Sequence, residues 1–263
     1  MGNFMKKKTI LFMLICAAVI FSCQKNDGPQ VSQGGAPAKT TQGGAPAKPG
    51  PASGPLKKAF ALRVGTGFYI LESDTGKETD KAAWAAALNL GDSVQAGEAR
   101  RATYGKDARV YDFLKVRDSA GKEGFVIASQ IAVDGKLAVV IDEKANLYSS
   151  PRTIDVTGNI LSRKTVAVFY PETENGGFVE IKAIDSESGV NRQGFIRLSS
   201  LSQKDADIQS SILLQTALTL KTDKEKARRD ALLESAYKDY PDSVFNAEIE
   251  ELRDSGGDEQ GKS

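Results

Sequence analysis

The feature that most constrains the fold of this chain is an internal repeat, which is best preserved in two short segments. Residues 124–132 read Gly-Phe-Val-Ile-Ala-Ser-Gln-Ile-Ala, and residues 194–202 read Gly-Phe-Ile-Arg-Leu-Ser-Ser-Leu-Ser. In each copy a Gly-Phe pair opens an alternating segment that an apolar residue, Ile131 or Leu201, closes, which is typical of a short strand. The sequence therefore predicts two similar small β units, each closed by such a strand.

The beginnings of the two units also align. A shift of 77 residues places residues 60–71 on residues 137–148, and five apolar positions then coincide. Nearer the end of each unit, residues 113–116 (Phe-Leu-Lys-Val) align with residues 178–181 (Phe-Val-Glu-Ile). Polar, Gly-containing stretches at 118–122 and 185–189 follow and indicate hairpin turns. Each unit therefore reads as a strand, a long loop, a second strand and a hairpin.

This pattern resembles the bacterial Src-homology-3 (SH3) domain, whose usual signature runs Asn-Val-Arg-Ser-Gly-Pro near the start and Gly-Trp-Val near the end. In the second unit residues 146–151 (Asn-Leu-Tyr-Ser-Ser-Pro) match the opening and residues 194–196 (Gly-Phe-Ile) match the closing. In the first unit residues 124–126 (Gly-Phe-Val) match the closing. The resemblance covers residues 59–202. It implies a mainly β fold of two tandem SH3-like barrels, followed by a short α-helical C-terminal segment.

Aromatic residues in or beside the predicted loops are the candidate ligand contacts, because small barrels bind ligands between loops and aromatic faces suit sugar rings or proline-rich peptides. These candidates are Trp84, Tyr104, Tyr148 and Tyr170. For each of them, packing in the core or at a barrel end is the alternative. Phe125 and Phe195, which stand where the SH3 signature has Trp, are expected to be core anchors.

The first unit has an enlarged early loop, residues 72–89, in which four alanines accompany Trp84 between residues 81 and 88. An Ala-rich stretch of this kind favours a helical turn or two. Trp84 then either plugs an open barrel end or the seam between the barrels, or it lies exposed on a ligand-binding surface.

After Ser202 the apolar period changes to about 3.6, which predicts helices. Residues 205–220 form the first, and Thr222-Asp-Lys-Glu225 is a capping box that opens the second. Residues 240–243 (Tyr-Pro-Asp-Ser) end that helix and start a third. The segment 231–245 resembles the second helix and exit turn of a tetratricopeptide repeat. One such unit cannot bury its own apolar face, so we expect the helices to pack on each other or on the second barrel.

The N-terminus has the features of a targeting segment. Three lysines precede an apolar run at residues 10–21, which is too short to span a bilayer but fits a signal peptide. The order Ile20-Phe21-Ser22-Cys23 resembles the lipobox of bacterial lipoproteins, which implies cleavage before Cys23 and lipid attachment to it. Gln24 stands where Asp often signals inner-membrane retention in lipoproteins, so the outer membrane is favoured. A plain secretory signal or a short uncleaved anchor is the alternative.

Composition excludes several kinds of chemistry. The chain has no histidine and two cysteines, so Ser-His-Asp and Cys-His arrangements and zinc sites of His and Cys cannot form within it. The acids at 74–80 and 185–187 do not match the calcium-loop spacing. Without the signal peptide 32 basic residues face 34 acidic ones, which leaves no basic footprint for nucleic acid. From these observations we predict no catalysis, no cofactor and no metal.

The predicted organisation is a signal peptide (1–22), a disordered tether (23–56), a first barrel (57–134), a second barrel (135–203), a helical segment (204–255) and a disordered tail (256–263). The tether is rich in Gly, Ala and Pro and spans on the order of 30 Å. The predicted function is lipid-anchored binding of peptidoglycan or an envelope protein at the bacterial cell envelope. The alternative is a scaffold that binds protein partners through its C-terminal helices.

Overall fold

The computed structural model describes residues 55–72 and 80–255, all of which belong to one compact unit of the chain. The signal peptide, the lipid-attachment residue Cys23, nearly all of the tether and the tail 256–263 lie outside the described residues. The described part is mainly β, with two curled sheets followed by three helices. No helix in this part of the chain is long and apolar enough to cross a membrane.

The first sheet contains seven strands in the order β3-β2-β6-β5-β4-β1-β7, and its neighbours are antiparallel. Its interior holds small and β-branched residues with one large aromatic, Phe68. The strands are β1 (Lys57–Ala61), β2 (Thr66–Glu72), β3 (Asp80–Leu88), β4 (Ser93–Tyr104), β5 (Arg109–Arg117), β6 (Glu123–Ile127) and β7 (Ile131–Val133).

The second sheet repeats this arrangement, since its order is β10-β9-β13-β12-β11-β8-β14, each strand seven later than its counterpart. A 3-10 turn precedes the last strand in both sheets, at Ala128–Gln130 and Leu198–Ser200. The strands are β8 (Lys136–Val140), β9 (Lys144–Tyr148), β10 (Val156–Ser162), β11 (Val166–Asn175), β12 (Phe178–Ile184), β13 (Asn191–Arg197) and β14 (Leu201–Ser202). The predicted duplication therefore extends to the whole strand topology.

The strand register corrects the predicted alignment of the two beginnings. Tyr69 lies opposite Phe125 in the first sheet, and Tyr148 lies opposite Phe195 in the second. Tyr69 and Tyr148 are thus equivalent, which is a shift of 79 residues, and the predicted shift of 77 is wrong. A displacement of two residues keeps every side chain on the same face of a strand, so the apolar pattern alone could not exclude it.

The repeated Gly-Phe segments are also more complex than predicted, because each is a strand, a 3-10 turn and a second strand. Val126 and Ile196 fill the sheet interiors and are fully buried, whereas Phe125 and Phe195 are half-buried. The prediction that the two phenylalanines anchor the interiors is therefore wrong. Successive residues of a strand point to opposite faces, which places the phenylalanines on the other face.

The Ala-rich stretch around Trp84 is strand β3, and not the predicted helical turn. It pairs with β2 from Thr66↔Leu88 to Glu72↔Lys81. Backbone pairing in the sheet overrides the helix preference of alanine, which is a weak and local effect. The N-terminal end of β3 also forms a short parallel contact with β4 at Ala102 and Thr103, so the first sheet closes on itself. Among the described strands, β10 pairs with β9 alone.

The predicted helices are confirmed as α1 (Asp205–Thr219), α2 (Lys226–Asp239) and α3 (Asn246–Ser255). The capping box between Thr222 and Glu225 is present at the start of α2. The helices share one apolar cluster with Val139 of β8 and Val166 of β11, so they pack on each other and on the second sheet, as predicted. Leu90, in the turn between β3 and β4, belongs to the same cluster.

Within the described residues, the two sheets contact each other through an apolar cluster and through hydrogen bonds from Lys182 and Asn191. Phe60, Leu62 and Ala132 of the first sheet pack with Val168 of the second. The Lys182 ammonium donates to the carbonyls of Ala128 (3.0 Å) and Ile131 (2.7 Å), and burial lowers the pKa of Lys182. The amide of Asn191 donates to the carbonyl of Ser129. The second sheet therefore covers the 3-10 turn of the first.

Candidate ligand-binding site

The four aromatic residues that the sequence singled out do not form one surface. Trp84 is 62% exposed, so it does not plug a barrel end or a seam. Tyr104 is half-buried against Tyr69, Tyr148 is only 6% exposed, and Tyr170 is half-buried in the cluster between the sheets. The predicted lipid attachment at Cys23 lies outside the described residues. Direct ligand contact at these four positions stays a prediction, which exposure favours only for Trp84.

An aromatic pair occurs at equivalent places in both sheets. The rings of Tyr69 and Phe113 are 5.5 Å apart and those of Tyr148 and Phe178 are 5.0 Å apart, both edge to face. Phe113 lies opposite Ile127, and Phe178 lies opposite Arg197, which fixes the equivalence of the two phenylalanines. The two aromatic pairs therefore lie on the equivalent face of each sheet.

In the first sheet this face is covered by the sheet's own residues. The β4–β5 hairpin continues four residues beyond Phe113, and Tyr104 and Tyr111 from its two arms pack against the cluster that contains Phe113 and Ile127. The ring of Tyr104 is 4.8 Å from that of Tyr69 and 6.5 Å from that of Tyr111. Burial raises the pKa of Tyr69, and the Tyr104 hydroxyl raises it further.

In the second sheet the equivalent rings are also buried, with Tyr148 6% and Phe178 7% exposed, but a surface cavity adjoins Phe178. Strand β12 begins at Phe178 itself, the turn before it is Gly176-Gly177, and the side chain of Arg197 lies over the ring. This cavity has a volume of about 530 Å³ and is open to solvent on one side. It is lined by Thr153, Gly176, Gly177, Phe178, Arg197, Leu198 and Ser199. The cavity thus combines one aromatic ring, one cation and two hydroxyl groups.

The charge of this cavity comes from Arg197. Its guanidinium carbon lies 5.7 Å from the centroid of the Phe178 ring, which orients the group by a cation–π contact. Arg197 is exposed and makes no ion pair with any of residues 55–72 and 80–255. No acidic residue lines the cavity. A ligand with a negative group would therefore meet an unopposed planar donor.

The loop that carries Thr153 is held by the carboxylate of Asp155. Arg152 forms an ion pair with Asp155 at 2.8 Å, and the hydroxyl of Ser150 hydrogen-bonds to the same carboxylate. The Ser150 hydrogen bond and the Arg152 charge lower the pKa of Asp155. The backbone N–H of Ser149 donates to the Asp155 carbonyl at 2.9 Å. These bonds fix one wall of the cavity, and they leave Ile154 84% exposed beside it.

Sequence reasoning missed both main residues of this site. Phe178 was aligned with Phe113, but only as a strand residue. The signal for Arg197 was present in the repeat itself, because Gly-Phe-Val-Ile in the first copy becomes Gly-Phe-Ile-Arg in the second. A position that is apolar in one copy and arginine in the other indicates that its surroundings differ between the two units.

Comparison with known proteins gives no family for this chain. No protein-family model matches it, and no curated protein matches it. Two solved structures are similar to it, NlpC2 and NlpC1 from Trichomonas vaginalis, at 12% and 13% identity and a TM-score of 0.21 for both. The matches cover 63% and 64% of this chain, and 56% and 55% of those chains.

These neighbours overturn the prediction that the protein is not an enzyme, because NlpC names a peptidase family. That prediction is withdrawn. A likeness at this TM-score carries no argument for a particular activity, and none is assigned from it.

Proposed function

We propose that the protein is a lipid-anchored binding module of the bacterial cell envelope, and that it binds peptidoglycan or an envelope protein in the solvent-open cavity beside Arg197 of its second sheet. The observation that carries this proposal is the cavity beside Phe178 and Arg197, in which Arg197 forms no ion pair with any of residues 55–72 and 80–255. The same face of the first sheet is occupied by Tyr104 and Tyr111. Ligand binding therefore falls to the second unit.

We also propose that each sheet is an SH3-like barrel. The support is the shared strand order, the 3-10 turn before the last strand, and the short signature segments at residues 146–151 and 194–196. In this reading the cavity lies between an early loop, which supplies Thr153, and the 3-10 turn, which supplies Leu198 and Ser199. The lipobox-like sequence before Cys23 and the Gly- and Pro-rich stretch after it support an anchor with a flexible reach.

The test is retention of the purified full-length lipoprotein, in detergent, on peptidoglycan sacculi and on immobilised envelope proteins. We expect saturable retention on one of the two, and a loss of about tenfold or more in affinity for Arg197→Gln, since a charged hydrogen bond contributes roughly 1.5–3 kcal/mol. The control is Arg101→Gln, which removes another exposed arginine, on β4 of the first sheet, where it pairs with Asp112.

Two outcomes would contradict this proposal. One is retention on neither material above that of an unrelated lipoprotein. The other is equal weakening by Arg197→Gln and Arg101→Gln, which would place the ligand away from the cavity.

A further inference from the structure

The end of the β4–β5 hairpin and the adjacent part of β3 expose apolar side chains that the described part of the chain leaves uncovered. Trp84 is 62% exposed and Val110 is 45% exposed. All residues of the turn, 105–110, are exposed. Among residues 55–72 and 80–255, Trp84 makes no aromatic ring contact and no cation–π contact.

The strand register places Trp84 at the same end of the first sheet as the hairpin turn. Lys81 lies beside Thr103 in the parallel contact between β3 and β4, and Thr103 lies opposite Val110. Because these two strands are parallel, β3 continues from Lys81 to Trp84 in the direction in which β4 continues to its turn. Trp84 also lies opposite Tyr69, whose ring is 4.8 Å from the ring of the last residue of β4.

Exposed cations accompany these apolar groups. Lys81, Lys106 and Arg109 are exposed, and Arg109 is 3.9 Å from Asp107 in a solvent-exposed ion pair, which contributes little. The acidic residues at this end are Asp80, Asp107 and Asp112. Tryptophan beside lysine and arginine is typical of a protein surface at the boundary of a bilayer, where the indole lies at headgroup level and the cations reach the lipid phosphates.

The direction of the chain brings this end toward the predicted lipid anchor. Strand β1 is antiparallel to β4, with Lys57 opposite Ala96, so the chain upstream of β1 is directed toward the hairpin turn. Leu56 is already beside Gly97, where an added Cβ would lie 2.9 Å from its side chain. The rest of β4 extends for about 20 Å, which is less than the span on the order of 30 Å of the tether after Cys23.

We propose that Trp84 and the end of the β4–β5 hairpin contact the phospholipid surface in which the chain is anchored, with the indole at headgroup level. This inference rests on the proposed lipid anchor. It assigns a partner, a phospholipid bilayer, to a surface of the first sheet that the cavity beside Arg197 does not include.

The test uses the fluorescence of Trp84, which is the only tryptophan of the chain. The full-length lipidated protein is reconstituted into phosphatidylcholine vesicles whose acyl chains carry bromine atoms near the headgroup, which quench tryptophan only at contact distance. We expect a loss of about half or more of the emission relative to vesicles without bromine, because an indole at headgroup level reaches the upper acyl chains.

Two matched substitutions test whether the hairpin end makes this contact. Val110→Asp should reduce the quenching by about twofold or more, because a carboxylate loses hydration at the apolar boundary. Val156→Asp is the control, since Val156 is 50% exposed on β10 of the second sheet, and it should leave the quenching unchanged. Thermal unfolding of both variants shows that a loss of quenching is not a loss of fold.

Flotation of the vesicles separates this inference from the proposed anchor. Protein that floats with the vesicles but shows no bromine quenching would overturn the inference while the anchor stands. Protein that does not float would overturn both. Quenching that Val110→Asp leaves at the wild-type level, or that the two valine variants reduce equally, would also overturn the assignment of the contact to the hairpin end.

Discussion

Replacement of Phe245 by alanine is expected to lower the free energy of unfolding by about 3–5 kcal/mol, the range for deletion of a buried aromatic side chain. Phe245 is fully buried in the cluster that joins the helices to the second sheet. The guanidinium of Arg163 lies 5.1 Å from its ring centroid, and Arg163 also contacts Glu248 of α3 at 2.6 Å. Phe245 therefore fills space in the core and also attaches the helical segment to the second sheet.

The neighbouring residue provides the control for this change. Val244 is 43% exposed, so Val244→Ala should lower the free energy of unfolding by less than about 1 kcal/mol. Chemical denaturation followed by circular dichroism measures both. If Phe245→Ala cost no more than Val244→Ala, the helical segment would not be packed on the second sheet in solution.

Replacement of Asp185 by asparagine is the second large expected effect, at about 2 kcal/mol at neutral pH. Asp185 is 4% exposed, and its carboxylate accepts hydrogen bonds from Ser162, Thr165 and Ser188. Burial alone would raise its pKa, but these hydrogen bonds outweigh burial and lower the pKa to about 2. One pKa unit corresponds to about 1.4 kcal/mol, and asparagine cannot accept at both side-chain atoms.

The pH dependence gives a separate check of the same carboxylate. Because its pKa is lower in the folded state than in the unfolded state, its stabilisation is complete above about pH 5 and declines as the pH falls from about 4 toward 2. The stability difference between the wild type and Asp185→Asn should therefore shrink over that interval. Asp142→Asn, at an exposed turn residue of the same sheet, is the control for the exchange of an acid for an amide. A constant difference from pH 7 to pH 2 would contradict the assignment.

The helices and the sheet repeat could be predicted from the sequence because each depends on a local periodicity. The capping box at Thr222 satisfies backbone donors within one turn, so its effect is independent of the rest of the fold. The Gly-Phe repeat identifies β6 and β13 for the same reason. The alanine content of residues 81–88 predicted a helical turn, which is wrong. These residues form a strand because their backbone pairs with β2, and the helix preference of alanine does not account for that pairing.

The candidate site could not be predicted because it results from a difference in hairpin length. The β4–β5 hairpin packs Tyr104 and Tyr111 against the cluster of Phe113, whereas the shorter β11–β12 hairpin ends in Gly176-Gly177 and leaves a surface cavity beside Phe178. The lengths of the two hairpins can be compared only when the register that relates the two units is known. The predicted register was two residues out, so the equivalence of Tyr69 and Tyr148 was hidden.

The measurement that tests the central claim most directly is photo-crosslinking in living cells, with a benzophenone amino acid in place of Ser199. Ser199 lines the cavity, and Ser129 is its counterpart in the 3-10 turn of the first sheet, where Asn191 of the second sheet is bound. We expect a discrete crosslinked species from the Ser199 position, which Arg197→Gln abolishes, and none from the Ser129 position. Equal crosslinking from the two positions, or crosslinking from Ser129 alone, would contradict the assignment of ligand binding to the cavity beside Arg197 of the second sheet.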